Sequence, residues 1–356
     1  MKGKIAILFT GLLLLSIFSS GCVDQDIDGG SATITDMAGR EVEVPKDVEN
    51  IVGVGSGCMR LLCYMNATEY LAGVEEYEKE DPMGRPYRLA NPDLAEKDSI
   101  GPIHGGDMEL IAAQEPDVIF RASSADPAED YEEKTGIPTV DLAIGDLTEN
   151  RESFYGSLRL IGEILQKEER AEEIIDHIDS TIQDLDDRTK DIPSEEKPEV
   201  YVGGVLYRGS HPLTSTYGEY DPFYFVNADN AAGELGTEHA MVDEEQILEW
   251  DPEVIFVDMG SYVRGETILD NSTYGNVTAF QNEYLYGILP YNWHHINYGT
   301  VLSDSYYIGK VLYPEVFDDV NPEEKADEIY EELVGEPVYD EMEEDLEGFA
   351  QLEPSE

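Results

Sequence analysis

ELIAAQEPDVIF, residues 109–120, is written a second time as EQILEWDPEVIF, residues 245–256, at a constant offset of 136 positions. Each copy carries an isoleucine at the same phase (Ile111, Ile247), a proline that stops the preceding helix (Pro116, Pro252), and an unbroken Val-Ile-Phe run. Proline lacks the N–H that a continuing helix needs. Apolar β-formers without alternation predict a strand buried on both faces. Such strands belong to parallel sheets covered by helices, so each copy predicts the helix-to-strand half of an α/β unit. Written twice, the unit predicts two α/β lobes.

The neighbouring segments extend the same plan. NIVGVGSG (50–57) reads as strand and glycine turn, and PEVYVGGVL (198–206) opens the second lobe in the same way. Between the lobes, Phe154, Leu158, Ile161 and Leu165, then Ile174, Ile178, Ile182 and Leu185, recur at helical spacing until Pro193. The stretch from Ala171 to Thr189 alone predicts a helix of roughly 28 Å at about 1.5 Å per residue. The expected division is a first lobe at 32–150, a helical connector at 151–192 and a second lobe at 193–356. Cys58 and Cys63 lie five apart on one predicted helix, pointing away from each other, and are expected to stay unbridged.

The N-terminus, MKGKIAILFTGLLLLSIFSSGC (1–22), combines two lysines, a short apolar run and small residues. It predicts a secretory signal, and Ser19-Ser20-Gly21 before Cys22 resembles a lipoprotein processing site, departing from it at Ser19, where such sites usually carry leucine. Residues 23–31 then form a polar, glycine-bearing tether. Asn66, Asn271 and Asn276 each head a glycosylation triplet, as expected of an exported surface. The 78 acids against 22 bases give a formal charge of -56. That balance excludes nucleic acid as a partner, and points to a high-salt habitat in which self-repulsion is screened.

TITDMAGREVEVPKDVENIVGVGSG (33–57), DMELIAAQEPDVIF (107–120), the helical connector, EEQILEWDPEVIFV (244–257) and SYYIGKVLYPEVF (305–317), in that order, resemble the substrate-binding lipoproteins of ABC importers for iron complexes and cobalamin. The resemblance implies two lobes joined by a rigid helix, with ligand in the cleft between them. It implies, as partner, a permease dimer with its ATPase, engaged by one receptor monomer held to the membrane by its lipid alone. In the cobalamin-binding member one surface glutamate per lobe pairs with permease arginines; the matching positions here are Glu109 and Glu245.

In open α/β sheets ligands lie beyond the carboxyl ends of the strands. The first lobe offers there Ser56 and Gly57, His104 in IHGGD, and Arg121 and Ser123. The second offers Tyr207 and Arg208, then Ser261 and Arg264. The aromatic loop LPYNWHHINYG (289–299) adds Trp293 and His294. The arginines suit an anion through paired hydrogen bonds; Tyr291, Trp293 and Tyr298 could stack on a flat ligand. No His-x-x-x-His or Cys-x-x-Cys spacing marks a bare-metal site, GVGSG lacks the rest of a nucleotide fingerprint, and no nucleophile elbow is present. The expectation is a receptor without catalytic residues or cofactor, capturing a ferric siderophore-like chelate. The alternatives are a molybdate or tungstate receptor, a cobalamin or haem receptor, and, outside transport, a chelatase-like enzyme or a structural surface protein.

Overall fold

The computed structural model describes residues 30–355. A hairpin of β1 (Ser31–Thr35) and β2 (Glu41–Pro45) leads into the first sheet, built from β3 (Ile51–Val54), β4 (Leu71–Gly73), β5 (Val118–Arg121) and β6 (Thr139–Asp141). Its order is β4-β3-β5-β6 and all its pairings are parallel. The second half contributes β7 (Glu199–Gly203), β8 (Ser215–Tyr217), β9 (Asp229–Asn230), β10 (His239–Met241), β11 (Val254–Asp258), β12 (Leu285–Ile288) and β13 (Ala350–Gln351). Here the sheet order is β13-β12-β11-β7-β9, with β13 the antiparallel edge, while β8 and β10 form a separate ribbon. The protein is therefore two α/β lobes.

The two sequence copies occupy equivalent places. Helix Met108–Ala113 precedes β5, and helix Glu244–Trp250 precedes β11; each is capped by an aspartate, Asp107 or Asp243, whose carboxylate accepts backbone N–H groups of the first turn. Such a cap satisfies donors that have no partner within the helix. Both strands lie inside their sheets, and the Ile-Phe pairs Ile119–Phe120 and Ile255–Phe256 are fully buried.

The connecting stretch is two helices rather than one. Helix Arg151–Leu165 ends at Gln166, in the left-handed region at φ 56°, and helix Glu168–Thr189 follows, packed against it. The second has 22 residues, or about 33 Å of rise. The C-terminal region crosses back. Helix Pro322–Val334 packs on the first-lobe helices Cys58–Tyr64 and Pro86–Leu89 before β13 returns to the second sheet. Cys58 and Cys63 are both buried and unbridged.

Candidate functional site

The loops at the carboxyl ends of the two sheets face each other across a cavity of about 870 Å³. Ser56, just past β3, His104 and Ser123, just past β5, come from the first lobe. Tyr207, Arg208, Tyr217 and Arg264 come from the second. The stretch after β12 supplies Asn292, Trp293, His294 and His295.

Among the described residues no aspartate or glutamate lines this cavity, although the chain has 78 of them. Nine of the eleven arginines are tied up in ion pairs or hydrogen bonds among the described residues. The two without such partners are Arg208 and Arg264, and both are in the cavity wall. Arg264 stacks over Trp293 with its guanidinium carbon 4.3 Å from the ring centroid, and Arg208 lies 5.3 Å from the ring of Tyr207. A cation held by an aromatic face keeps its N–H edge available for an anion.

The imidazoles complete a positive or neutral wall. His104 pairs through Nδ1 with Ser56 Oγ at 2.7 Å, and its ring centroid lies 5.9 Å from that of His294. Burial, then the positive groups His104, Arg85, Arg60 and Arg264, push the pKa of His294 down to about 4. Burial and Arg60 bring His295 down to about 4 as well. Both are neutral at pH 7, so each keeps a nitrogen lone pair.

Two buried carboxylates, neither signalled by any motif, hold the loops in place. In the first lobe Glu75 accepts the backbone N–H groups of Gly55 at 3.0 Å and Gly105 at 2.6 Å, the residues flanking Ser56 and His104. In the second, Asp258 at the end of β11 accepts those of Leu206 at 3.3 Å and Gly260 at 2.9 Å, with the backbone of Tyr291 and Ser261 also facing it. Arg60 does the same for the aromatic loop. Its Nη2 donates to Trp293 O at 3.1 Å and to Asn297 Oδ1 at 2.7 Å, while Asn297 Nδ2 donates to Gly84 O at 3.2 Å. Glycine is required at 84: φ is +70°, and a Cβ there would stand 2.1 Å from the Trp293 ring.

The loops are also strained. His104, Ser123, Arg208, His294 and His295 all adopt positive φ, between 46° and 120°, where side chains other than glycine are disfavoured. All five line the cavity.

Ser56, His104, Ser123, Tyr207, Arg208, Arg264, Trp293 and His294 thus meet in one cavity, while other expected residues stand elsewhere. Gly57 lies just behind the wall, where a Cβ would be 3.4 Å from that of His295. Arg121 is turned away: it pairs with Asp141 and donates to Asp126 O at 2.7 Å and Ser124 O at 3.0 Å. Ser261 is fully buried, its Oγ accepting His211 N–H at 3.1 Å. Tyr298 is core, stacked on Phe154 at 4.0 Å. Leu206, Gly209, Tyr217 and Asn292 are wall residues that motif and strand-end reading did not single out, and His295, adjacent to His294 in the aromatic loop, lines the wall with it. Glu109 and Glu245 are exposed, each second in its helix. Asn66, Asn271 and Asn276 are exposed; Cys22, the signal and most of the tether lie outside the described residues. No helix among the described residues is long and apolar enough to cross a membrane.

A family model described as periplasmic binding protein matches residues 59–291. The chain is 23% identical to the molybdate-binding protein MolA of Haemophilus influenzae over 352 residues, 93% of this chain and 96% of that protein. It is 24% identical to the petrobactin-binding protein YclQ of Bacillus subtilis over 313 residues, 82% and 92% of the two chains. The structure of the Haemophilus influenzae MolA with molybdate superposes with a TM-score of 0.67 at 21% identity, covering 86% of this chain and 98% of that one.

Proposed function

The chain belongs to the periplasmic binding protein family and is a solute-binding component of an ABC importer rather than an enzyme; from that premise we propose that its solute is an anionic metal chelate of the ferric siderophore type. The observation that carries the reading is the cavity wall: among the described residues, two arginines without acidic partners and no carboxylate, in a chain of charge -56. A cation would find no counter-charge there, whereas an anion meets two guanidinium edges at once. The size, about 870 Å³, falls in the range of about 300–1,000 Å³ typical of sites for drug-sized ligands and leaves room for the organic shell of a chelate. The petrobactin-binding relative supports this class.

A second reading, a molybdate or tungstate receptor, is favoured by the likeness to the molybdate-binding protein over nearly the whole chain. In that case Arg208, Arg264 and the neutral imidazoles would share a small oxyanion. Thermal unfolding in high salt with ferric catecholate and hydroxamate chelates, free ferric ion, molybdate, tungstate, haem and cobalamin tests both. A ligand at a hundredfold excess over its dissociation constant adds about 2.7 kcal/mol. A response to a ferric chelate alone supports the first reading, a response to the oxyanions alone supports the second, and a response only to a cation overturns the anion argument.

Delivery in this reading uses Glu109 and Glu245 as one contact per permease subunit. Their equal station, second in an aspartate-capped helix before a central strand of each lobe, supports a pseudo-symmetric partner. Lipidation at Cys22 would hold the receptor at the outer face of the membrane, and sugars at Asn66, Asn271 and Asn276 would lie on exposed surface.

A further inference from the structure

Beside the ligand cleft, sharing Tyr217 with it, is a smaller cavity of about 110 Å³. Its wall holds the carboxylates of Asp146, Glu149, Glu219 and Asp221 and the hydroxyls of Thr148 and Tyr291, with no basic side chain among the described residues. Asp146 stands shortly after β6 in the first lobe; Asp221 begins helix Asp221–Phe225 in the second. A single hydroxyl lies between them. Thr148 Oγ1 is 3.3 Å from Asp146 Oδ1 and 3.4 Å from Asp221 Oδ1. One hydroxyl proton serves only one of two carboxylates.

Asp146 is otherwise well provided for, accepting Thr148 N–H at 2.9 Å, Asn150 N–H at 2.8 Å and Asn150 Nδ2 at 2.6 Å. Asp221 is not. It is 5% exposed, and its Oδ2 has no hydrogen-bond partner, although the Leu147 backbone and the Tyr291 hydroxyl face it. The nearby cation in sequence, Arg151, is turned to Asp179 at 3.5 Å. A carboxylate buried without counter-charge is strongly disfavoured. Burial, reinforced by Asp146, raises the pKa of Asp221 to about 7, and a cation in the cavity would favour its ionised form.

We propose that this cavity binds a small monovalent cation, sodium or potassium, between Asp221 and Asp146, bridging the two lobes. Among the described residues no three acidic, histidine or cysteine groups converge as a metal-ligand set, which argues against a transition metal or calcium, the latter needing six to eight oxygens. Two carboxylates, two hydroxyls and a few waters suffice for a weakly held monovalent ion. The acidic surface supplies such ions at raised local concentration. Nothing in this site depends on which solute fills the main cleft.

The test compares thermal unfolding of the full chain at pH 8 in sodium, potassium and N-methylglucammonium chlorides at equal ionic strength, the last cation being too bulky for the cavity. The expected result is a saturable rise of the midpoint with sodium or potassium over N-methylglucammonium. Asp221→Asn should remove that difference while leaving the general salt dependence. Should Asp221→Asn fail to fold, Asp146→Asn, at a half-buried position, carries the same test through an apparent cation affinity weakened at least tenfold. An unchanged sodium effect in the variant that folds, or no difference between the cations in the unaltered chain, overturns the proposal.

Discussion

Arg264 rests on Trp293 at 4.3 Å and has no acidic partner among the described residues. The indole orients the guanidinium without consuming its donors, which is the arrangement an anion site needs in a chain dense with carboxylates. Arg264→Ala should therefore weaken an anionic solute more than tenfold, about 1.4 kcal/mol, with Arg208→Ala comparable. Arg264→Lys should recover only part of the loss, because a point charge replaces a fork. Calorimetric titration reads both, and unchanged affinity in the two alanine variants would remove the anion argument.

Arg121→Ala should do the opposite. Its guanidinium is spent on Asp141 and two carbonyls, so solute affinity stays unchanged while stability falls by about 1–3 kcal/mol as those acceptors lose their donor. Denaturant unfolding beside a binding titration separates the two effects.

Gly84→Ala introduces a Cβ 2.1 Å from the Trp293 ring at a φ of +70°. Overpacking of this kind costs about 1–3 kcal/mol. The ring must shift, and Arg264 loses its platform. Expected together are lower stability, a changed indole emission and weaker solute binding; normal emission with normal binding would show the loop to be compliant.

The pH dependence of stability has opposing contributions. His295, lowered from 6.5 to about 4 by burial, contributes stability that is complete above 6.5 and is lost as pH falls towards 4, because the unfolded chain takes up the proton first. Asp258, raised from 3.8 to about 7 by burial, contributes in the other sense: its share is complete below 3.8 and is lost as pH rises through 7. His295→Gln should flatten the acid limb between pH 4 and 6.5, and Asp258→Asn should steepen it. Urea unfolding across that range checks the signs.

Glu109→Ala combined with Glu245→Ala should abolish solute uptake in cells with solute affinity intact. Loss of affinity instead would remove both residues from docking, since neither lines the cavity.

The lobes were legible because their signal is local: a helix, a proline and three buried β-formers, repeated. The cleft loops followed from strand ends, again a local property. Which arginine lines the cavity was not legible. Arg121 and Asp141 are cross-strand partners in the parallel register of β5 and β6, a pairing set by the sheet and not by spacing along the chain. The same holds for Arg60, whose partner Asn297 is 237 positions away, and for Glu75 and Asp258, two acids among 78 whose role exists only once several loops converge. The helix break at Gln166 is not marked by the residue itself, because Gln is an ordinary helix former; its only trace is the step from Leu165 to Ile174, which puts the second apolar series about half a turn out of phase with the first.

The five left-handed residues of the cavity have a consequence for anyone evolving this chain. Glycine would occupy each of their conformations freely, and strain of this sort costs about 1–3 kcal/mol per residue. A selection for heat resistance alone would drift towards glycine at His104, Ser123, Arg208, His294 and His295, and would yield a hardier protein whose cavity has lost five of its side chains.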